Sequence, residues 1–509
     1  MRNGKYLRQS ASLATAFLLT LVLAVGLTTV ARDSSTIVAR LMGDISMLDP
    51  GNVKNVNDMF VATNVFASLV RYIPGTSEIE PDLASSWEVS DDGLEFVFHL
   101  REGLQFHKGY GPVTADDVKF TFDRIIENGM VQASYLTAVD TVEVIDDLTV
   151  RIRLTAFDSA FLSKLAYRPG FIVSRKAVEE LDDEFSLNPV GCGAYEFVEW
   201  VPGESVTLKA FDQYHDTPPA IRNVIFKVVT DETAAAFALE TGELDIAVVR
   251  SQETIDRFKD DPGYAVDVTP GTSIRMLVMN TSRKPFDDVR VRRAVAHSID
   301  RSTLQAILGD TVVVTDQLFT PAFFGYTPDV TIYDYAPQEA RDLLAQAGYP
   351  DGFELSITST QLAPWPDLMP VVEQNLKDIG IDATVNFLEH AAYNSWRRAG
   401  DYAMTVMPLG RPPHPDFLLA YAFVTSQFPP GGNLSFYDKI DNLVDAARAE
   451  IHEDLSRELY KVIQKKLSYD VPVVPIGYQA VVAVMQPDVK GYRPGILNGF
   501  WARYLYFED

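Results

Sequence analysis

The sequence contains little cysteine, little histidine and few recognisable catalytic motifs. The single cysteine, Cys192, excludes an intramolecular disulfide and any metal site built from several thiolates. The seven histidines include no His-Glu-x-x-His pair, and we find neither a phosphate-binding loop nor a Gly-x-Ser-x-Gly elbow. We therefore expect a protein that is not an enzyme and that uses no cofactor and no metal. A secreted hydrolase whose site is assembled only in space stays open as an alternative.

Positive charge is also scarce. The chain has 44 Lys and Arg residues against 70 Asp and Glu residues, which gives a formal net charge of -26 at pH 7. A surface this acidic repels phosphate backbones and anionic lipid head groups. The composition therefore predicts that the protein has no nucleic-acid partner.

Long apolar runs are scarce as well, and only one stands out, near the start of the sequence. Three basic residues precede an uncharged apolar stretch at 14–25, and small residues follow it, which predicts a secretory signal peptide over residues 1–31. The stretch is shorter than the roughly 20 apolar residues that a membrane span needs. Removing its three positive charges takes the formal charge from -26 to -29. No cysteine that could carry a lipid lies between 23 and 35, so we expect a soluble, periplasmic protein. We also expect it to be a monomer.

The rest of the chain mixes strand and helix patterns. Residues 94–100 and 148–154 alternate apolar and polar side chains, which predicts antiparallel strands with one buried face. Thr114 precedes two acids and an apolar face, and Asp231 precedes a second apolar run, so both are predicted helix N-caps. Helices and strands alternate again after residue 285, and the expected class is α/β.

Long segments in both halves of the chain resemble extracellular solute-binding proteins of family 5, the receptors of peptide, nickel and oligosaccharide ABC importers. The resemblance covers essentially the whole chain after residue 31, and Cys192 stands where the family usually has threonine. The similar segments are residues 81–103, 106–107, 114–118, 188–195, 280–301, 340–350 and 376–381.

The resemblance implies a two-lobed periplasmic-binding-protein fold of the large, three-subdomain variety, which closes on its ligand about a hinge. We place the two crossing segments near 271–275 and 475–480. Lobe I would then comprise 32–272 and 479–509, with an inserted subdomain at about 51–187, and lobe II would comprise 273–478. The implied function is to capture a small solute between the lobes and to deliver it to a membrane-embedded ABC permease.

The resemblance also points to loops of lobe I that would face the ligand. The loop after Pro50 holds Lys54, Asn55 and Val56, where oligopeptide receptors have an acid and a small apolar pair. Tyr135 matches an aromatic residue that covers ligand in related receptors. Arg168 is similar in placement to an anion-binding arginine of metal-chelate receptors.

A Pro-rich loop of lobe II supplies the remaining candidates, Arg411, His414 and Asp416. Arg411 lies on or beside the position where peptide receptors carry an aspartate for the peptide ammonium group. A guanidinium there would instead bind a carboxylate or phosphate. Together with Lys54, it predicts an anionic ligand: an acidic peptide, an opine-like conjugate, or an acidic or phosphorylated sugar. The alternative is an ordinary di- or oligopeptide receptor in which Asp416 binds the ammonium group.

Overall fold

The structure is a computed structural model that describes residues 33–495 and 500–508. The predicted signal peptide at 1–31 lies outside the described residues. Within them, no helix is both long enough and apolar enough to cross a membrane.

The strands of the described residues lie between residues 36 and 507. In chain order they are β1 Thr36–Leu41, β2 Val70–Tyr72, β3 Ile79–Pro81, β4 Ala84–Val89, β5 Glu95–Leu100, β6 Val139–Asp146, β7 Thr149–Leu154, β8 Tyr195–Val201, β9 Ser205–Ala210, β10 Asn223–Val228, β11 Ile246–Val249, β12 Ala265–Met279, β13 Val312–Val314, β14 Phe353–Thr360, β15 Ile381–Leu388, β16 Met404–Gly410, β17 Val473–Met485, β18 Val489–Lys490 and β19 Tyr506–Phe507.

Helices alternate with these strands. They are α1 Val56–Val65, α2 Ala115–Glu127, α3 Phe161–Leu165, α4 Arg175–Leu181, α5 Glu232–Glu240, α6 Gln252–Phe258, α7 Val289–Ser298, α8 Arg301–Leu308, α9 Pro337–Gln346, α10 Trp365–Asp378, α11 His390–Arg398, α12 Pro415–Ala422, α13 Asp441–Ala449 and α14 Glu453–Asp470.

The local sequence signals work as expected. Thr114 begins α2 through a capping box with Asp117, and the Asp231 side chain accepts from the Ala234 N–H at the start of α5. Strands β5 and β7 pair antiparallel and alternate buried side chains with side chains that are partly or fully exposed. The predicted strands, helix starts and α/β class are therefore confirmed.

One large sheet organises the chain, in the order β15-β14-β16-β12-β17-β11-β1-β10-β9-β8, with β13 also paired to β17. Its two long strands, β12 and β17, pair antiparallel from Ala265 opposite Met485 to Val278 opposite Val473. The ladder shifts register between Pro270 and Ile274 and again after Arg275. The two segments predicted to cross between the lobes lie side by side at these irregularities.

Buried apolar side chains fall into two groups on either side of the register shifts. Two clusters draw on residues up to 258 and from 480 onward, and two others draw on residues 274–478. We use the names lobe I and lobe II for these groups. The exact lobe boundaries drawn from the sequence remain a prediction.

The segment predicted as an inserted subdomain forms its own four-stranded sheet, β4-β5-β7-β6, beside the β2–β3 hairpin. Its buried aromatic residues Phe96 and Phe98 nevertheless belong to the same cluster as Ile37 of β1. The subdomain therefore shares one apolar core with lobe I, and the residues it presents to lobe II are held by that core.

Candidate functional site

Aromatic rings from both lobes meet at one point between them. Tyr135 ends a short 3-10 turn of lobe I, and its ring centroid lies 5.9 Å from that of Tyr167. The same ring lies 5.7 Å from Phe417, which α12 of lobe II contributes. Tyr135 therefore bridges the two lobes as they stand in this structure.

Two guanidinium groups flank these rings, one from each lobe. Arg168 lies 5.0 Å from the ring centroid of Tyr167, and its Nε is buried without a hydrogen-bond partner. Arg411 follows β16, lies 4.3 Å from the ring centroid of Tyr421 and donates to the carbonyl of Gly410 at 3.0 Å. Among the described residues, neither arginine forms an ion pair with a carboxylate. Both therefore retain unused capacity to bind an anion.

The side chain of Tyr167 is buried at this point. Burial raises the pKa of its hydroxyl well above the ordinary value for tyrosine, while the charges of Arg168 and Arg411 act in the opposite direction. Arg168 of lobe I and Arg411 of lobe II lie over the rings of Tyr167 and Tyr421, so each lobe contributes one guanidinium group beside the aromatic rings.

The predicted loop at 54–56 reaches the site mainly through its backbone. The Lys54 carbonyl accepts from Arg168 at 3.3 Å, whereas the Lys54 side chain is exposed. Asn55 caps α1, accepting from the Asp58 N–H at 2.8 Å and donating to the Asp58 carboxylate at 2.7 Å. Val56 begins that helix and is partly buried against the lobe I core. Asn55 thus shapes the loop that holds Arg168 in place.

His414 and Asp416 lie in the interior of the protein, at 2% and 3% exposure. The His414 ring stacks on Phe324 at 4.8 Å, and its Nδ1 accepts from the Asp416 N–H as the N-cap of α12. The Asp416 carboxylate accepts from Arg448 Nη2 at 2.8 Å and Nε at 3.0 Å. A peptide ammonium group at Asp416 would have to compete with this arginine.

Burial lowers the pKa of His414 to about 3; the charge of Asp158 opposes this shift, and nearby cations add to it. The folded protein therefore keeps the His414 ring neutral. The contribution of this neutral ring to stability is complete above the unfolded pKa of about 6.5 and is lost as pH falls. We expect His414→Asn, which can still cap α12, to reduce the loss of unfolding free energy between pH 7 and pH 5 by about 2 kcal/mol. Urea denaturation at both pH values measures the difference. Equal losses in the two proteins would contradict it.

Other contacts join the lobes beside this site. The Ser159 N–H donates to the Arg448 carbonyl at 2.9 Å, and the Ser159 hydroxyl lies 3.3 Å from the Tyr460 hydroxyl. Glu78 of the β2–β3 hairpin pairs with Arg457 of α14 at 3.2 Å. A cavity of about 550 Å³ lies between these contacts, and residues of both lobes line it. The cavity therefore lies where the two lobes meet.

Comparison with known proteins identifies the chain. The sequence profile of the bacterial extracellular solute-binding proteins, family 5, matches residues 78–429. The chain belongs to this family. Family 5 proteins are binding receptors and not enzymes, so the hydrolase alternative falls away and the expected function as a solute-binding receptor of an ABC importer is confirmed.

Several family 5 relatives match over most of their length. The dipeptide-binding protein of Escherichia coli (strain K12) is 28% identical over 460 residues, covering 84% of this chain and 86% of the relative. Heme-binding protein A of Haemophilus influenzae is 27% identical and covers 84% of each chain. Among solved structures, HbpA2 from Haemophilus parasuis has a TM-score of 0.87 at 24% identity, covering 93% of this chain and all of that one. The two-lobed fold is thereby confirmed.

A solved family 5 structure of higher identity contains a ligand. MoaA from A. tumefaciens R10, in complex with mannopinic acid, is 28% identical with a TM-score of 0.75, and the match covers 94% of this chain and all of that one.

The structure brings together Arg168, Arg411 and Tyr135 of the residues predicted from the sequence. It places Lys54 at the rim and His414 and Asp416 in the interior. Sequence reasoning missed the aromatic partners Tyr167, Phe417 and Tyr421. One local signal was available for each, because Tyr167 adjoins Arg168 and the other two follow the Pro-rich loop within α12.

Proposed function

We propose that this family 5 receptor captures a small anionic solute between its lobes. The observation that carries the proposal is that Arg168 and Arg411, one from each lobe, flank the aromatic rings that meet between the lobes, with no carboxylate paired to either arginine among the described residues. A guanidinium fork binds a carboxylate or phosphate through two parallel hydrogen bonds. The rings of Tyr135, Phe417 and Tyr421 would cover the apolar part of such a solute.

The chemical classes that fit are an acidic peptide, an opine-like conjugate, and an acidic or phosphorylated sugar. The relative crystallised with mannopinic acid shows that a member of this family accommodates an acid. Relatives named for dipeptides and heme show that the family varies its ligand widely. Ligand identity in this chain therefore depends on the side chains at the site and not on the fold.

Closure would couple binding to transport. In this proposal lobe I comprises 32–272 and 479–509, lobe II comprises 273–478, and β12 and β17 form the hinge. A solute that touches Arg168 and Arg411 at once makes both contacts only when the lobes are together, so it shifts the population toward the closed form. The permease would recognise that form. The receptor would act as a free monomer in the periplasm after removal of residues 1–31.

The alternative is an ordinary di- or oligopeptide receptor, as the printed names of several relatives suggest. One observation favours it: the cavity between the lobes is lined by the acids Glu78, Asp91, Glu450 and Glu453. A peptide ammonium group would be stabilised there. In that case, binding would depend on the positive end of the ligand.

Mass spectrometry of the solute retained by natively purified protein tests the proposal. We expect an acid. Titration calorimetry with that acid and with its uncharged methyl ester or dephosphorylated form then measures the charge requirement, and we expect binding of the neutral form to be lost. A retained solute without net negative charge, or equal affinity for both forms, would overturn the anionic proposal. A cationic or zwitterionic peptide would establish the alternative.

Under the anionic proposal, the contact between Glu78 and Arg457 acts on closure alone, whereas under the alternative Glu78 would also contact the ligand. Both side chains are partly exposed, so the pair contributes about 0.2–1 kcal/mol. We expect Glu78→Gln to weaken binding of every ligand by the same factor, about two- to fivefold at low salt, and by less at high salt. The matched control is Glu458→Gln, which removes the partner of Lys461 within α14 and leaves the contact between lobes. A change in the ratio of affinities for two ligands would refute a pure closure role.

A further inference from the structure

The cavity of about 550 Å³ between the lobes carries its charge mainly on side chains that reach solvent. The side chains of the lining acids Glu78 and Glu453 are 55% and 68% exposed, and both contact Arg457. Asp91 is exposed as well, and the side chain of Glu450 is 25% exposed. Solvent therefore screens most of the negative charge of this cavity.

The buried part of the cavity wall is nearly neutral. Asp158 is its one buried carboxylate among the described residues, and Lys164 of the same lobe pairs with it at 2.5 Å. The other buried residues of the wall carry hydroxyl groups or rings: Ser77, Ser163, Ser456, Phe96, Phe324 and His414. Such a wall suits a part of a ligand that is uncharged and has both polar and apolar faces.

His414 contributes a polar atom that lacks a partner. Stacking on Phe324 at 4.8 Å and an edge contact with Tyr460 at 5.3 Å fix its ring in the wall. Its Nδ1 accepts from the Asp416 N–H at 3.3 Å, so the neutral ring carries its proton on Nε2. Nε2 is buried and has no hydrogen-bond partner among the described residues. An oxygen atom of a ligand would satisfy this donor, which is otherwise costly.

Lobe I contributes further rings to the cavity wall. Trp87 of β4 and Phe157 line the cavity and are partly buried against the lobe I core. Their rings therefore keep apolar surface that the core does not cover. The C–H faces of a sugar ring or polyol chain are apolar, and aromatic rings can cover them while the hydroxyl groups reach polar neighbours.

The two chain segments that carry the arginines of the site also contribute to the cavity wall. His414 lies three residues after Arg411, and Ser163 lies five residues before Arg168. Three residues of chain span at most roughly 10 Å, and five span at most roughly 18 Å. A solute whose acidic group contacts Arg168 and Arg411 can therefore extend its other end into the cavity.

We propose that the cavity holds a neutral, polyhydroxylated part of the solute, a sugar ring or a sugar-alcohol chain. A hydroxyl group both accepts and donates, so it can accept from Nε2 of His414 and donate to the serine hydroxyls and to Glu450. An ammonium group offers no acceptor to His414, and the carboxylates at the rim would repel a second acid. This inference rests on the proposed function and narrows it to acids that carry a sugar or polyol part.

The test uses the full-length protein and the solute that it retains in native purification. Periodate cleaves the carbon–carbon bond between neighbouring hydroxyl groups and leaves carboxylates and phosphates in place. We expect periodate treatment of the released solute to weaken its binding to ligand-free protein at least about 30-fold in titration calorimetry. Solute treated with iodate instead is the control and should bind as before. Unchanged affinity after periodate would overturn the inference, as would a retained solute without neighbouring hydroxyl groups.

Variants separate this inference from the proposed function. We expect His414→Asn and Trp87→Leu each to weaken binding of the untreated solute about tenfold, and either one tests the cavity if the other does not fold. The matched control is Trp200→Leu, since Trp200 of β8 is also partly buried against the lobe I core but does not line the cavity. Weakened binding in Arg411→Gln with unchanged binding in His414→Asn and Trp87→Leu would overturn the cavity assignment alone. Unchanged binding in Arg411→Gln would overturn the proposed function itself.

Discussion

Replacing Arg411 by alanine is expected to weaken binding of the native solute at least about 30-fold, or about 2 kcal/mol. The guanidinium lies over the ring of Tyr421, and it has no carboxylate partner among the described residues. Its loss would leave an acidic group of the solute buried beside aromatic rings without its cation. Titration calorimetry at fixed ionic strength measures the change.

Two further variants sharpen the result. Arg411→Lys keeps the charge and loses the planar fork, so we expect an intermediate affinity. Arg398→Ala removes the same charge from an exposed position of lobe II and should leave affinity unchanged. If Arg411→Ala bound the native solute as tightly as the wild type does, the guanidinium would play no part in recognition.

Replacing Arg448 by methionine is expected to lower the free energy of unfolding by about 3 kcal/mol at pH 7. The change leaves the carboxylate of Asp416, which is 3% exposed, without the cation that now contacts it at 2.8 Å. Adding Asp416→Asn removes the stranded charge, so the double variant should regain most of the loss. Urea denaturation followed by circular dichroism measures all three proteins.

The pH dependence of the methionine variant provides an independent check. Burial raises the pKa of Asp416, and losing Arg448 raises it further. A carboxyl group whose folded pKa is raised contributes stability at low pH and loses it as pH rises. The deficit of Arg448→Met should therefore shrink on acidification from pH 7 toward pH 4. A deficit independent of pH would show that Asp416 is not the stranded group.

This second prediction also concerns recognition. If Asp416 bound the ammonium group of a peptide, removing Arg448 would free the carboxylate and strengthen peptide binding. The anionic proposal expects no such gain. Titration calorimetry of the Arg448→Met variant with a dipeptide therefore distinguishes the anionic proposal from the peptide alternative.

The sequence by itself determined the family, the α/β fold and much of the local structure. Signature blocks such as 81–103 and 280–301 identify a two-lobed receptor, and Thr114 and Asp231 mark helix starts because capping depends only on neighbours three residues away. The sequence also allowed Arg168, Arg411 and Tyr135 to be selected, because their loops lie next to segments that resemble the family. The ligand class follows from them only as a hypothesis.

The tertiary structure decided which charged side chains have an ion-pair partner. Asp416 and Arg411 lie five positions apart, yet one is paired to Arg448 and the other has no carboxylate partner among the described residues. Tyr135 meets Phe417 from a distant part of the chain. Periodicity and capping are local, whereas the partner of a charge is set by packing between distant segments, which no spacing in the sequence records.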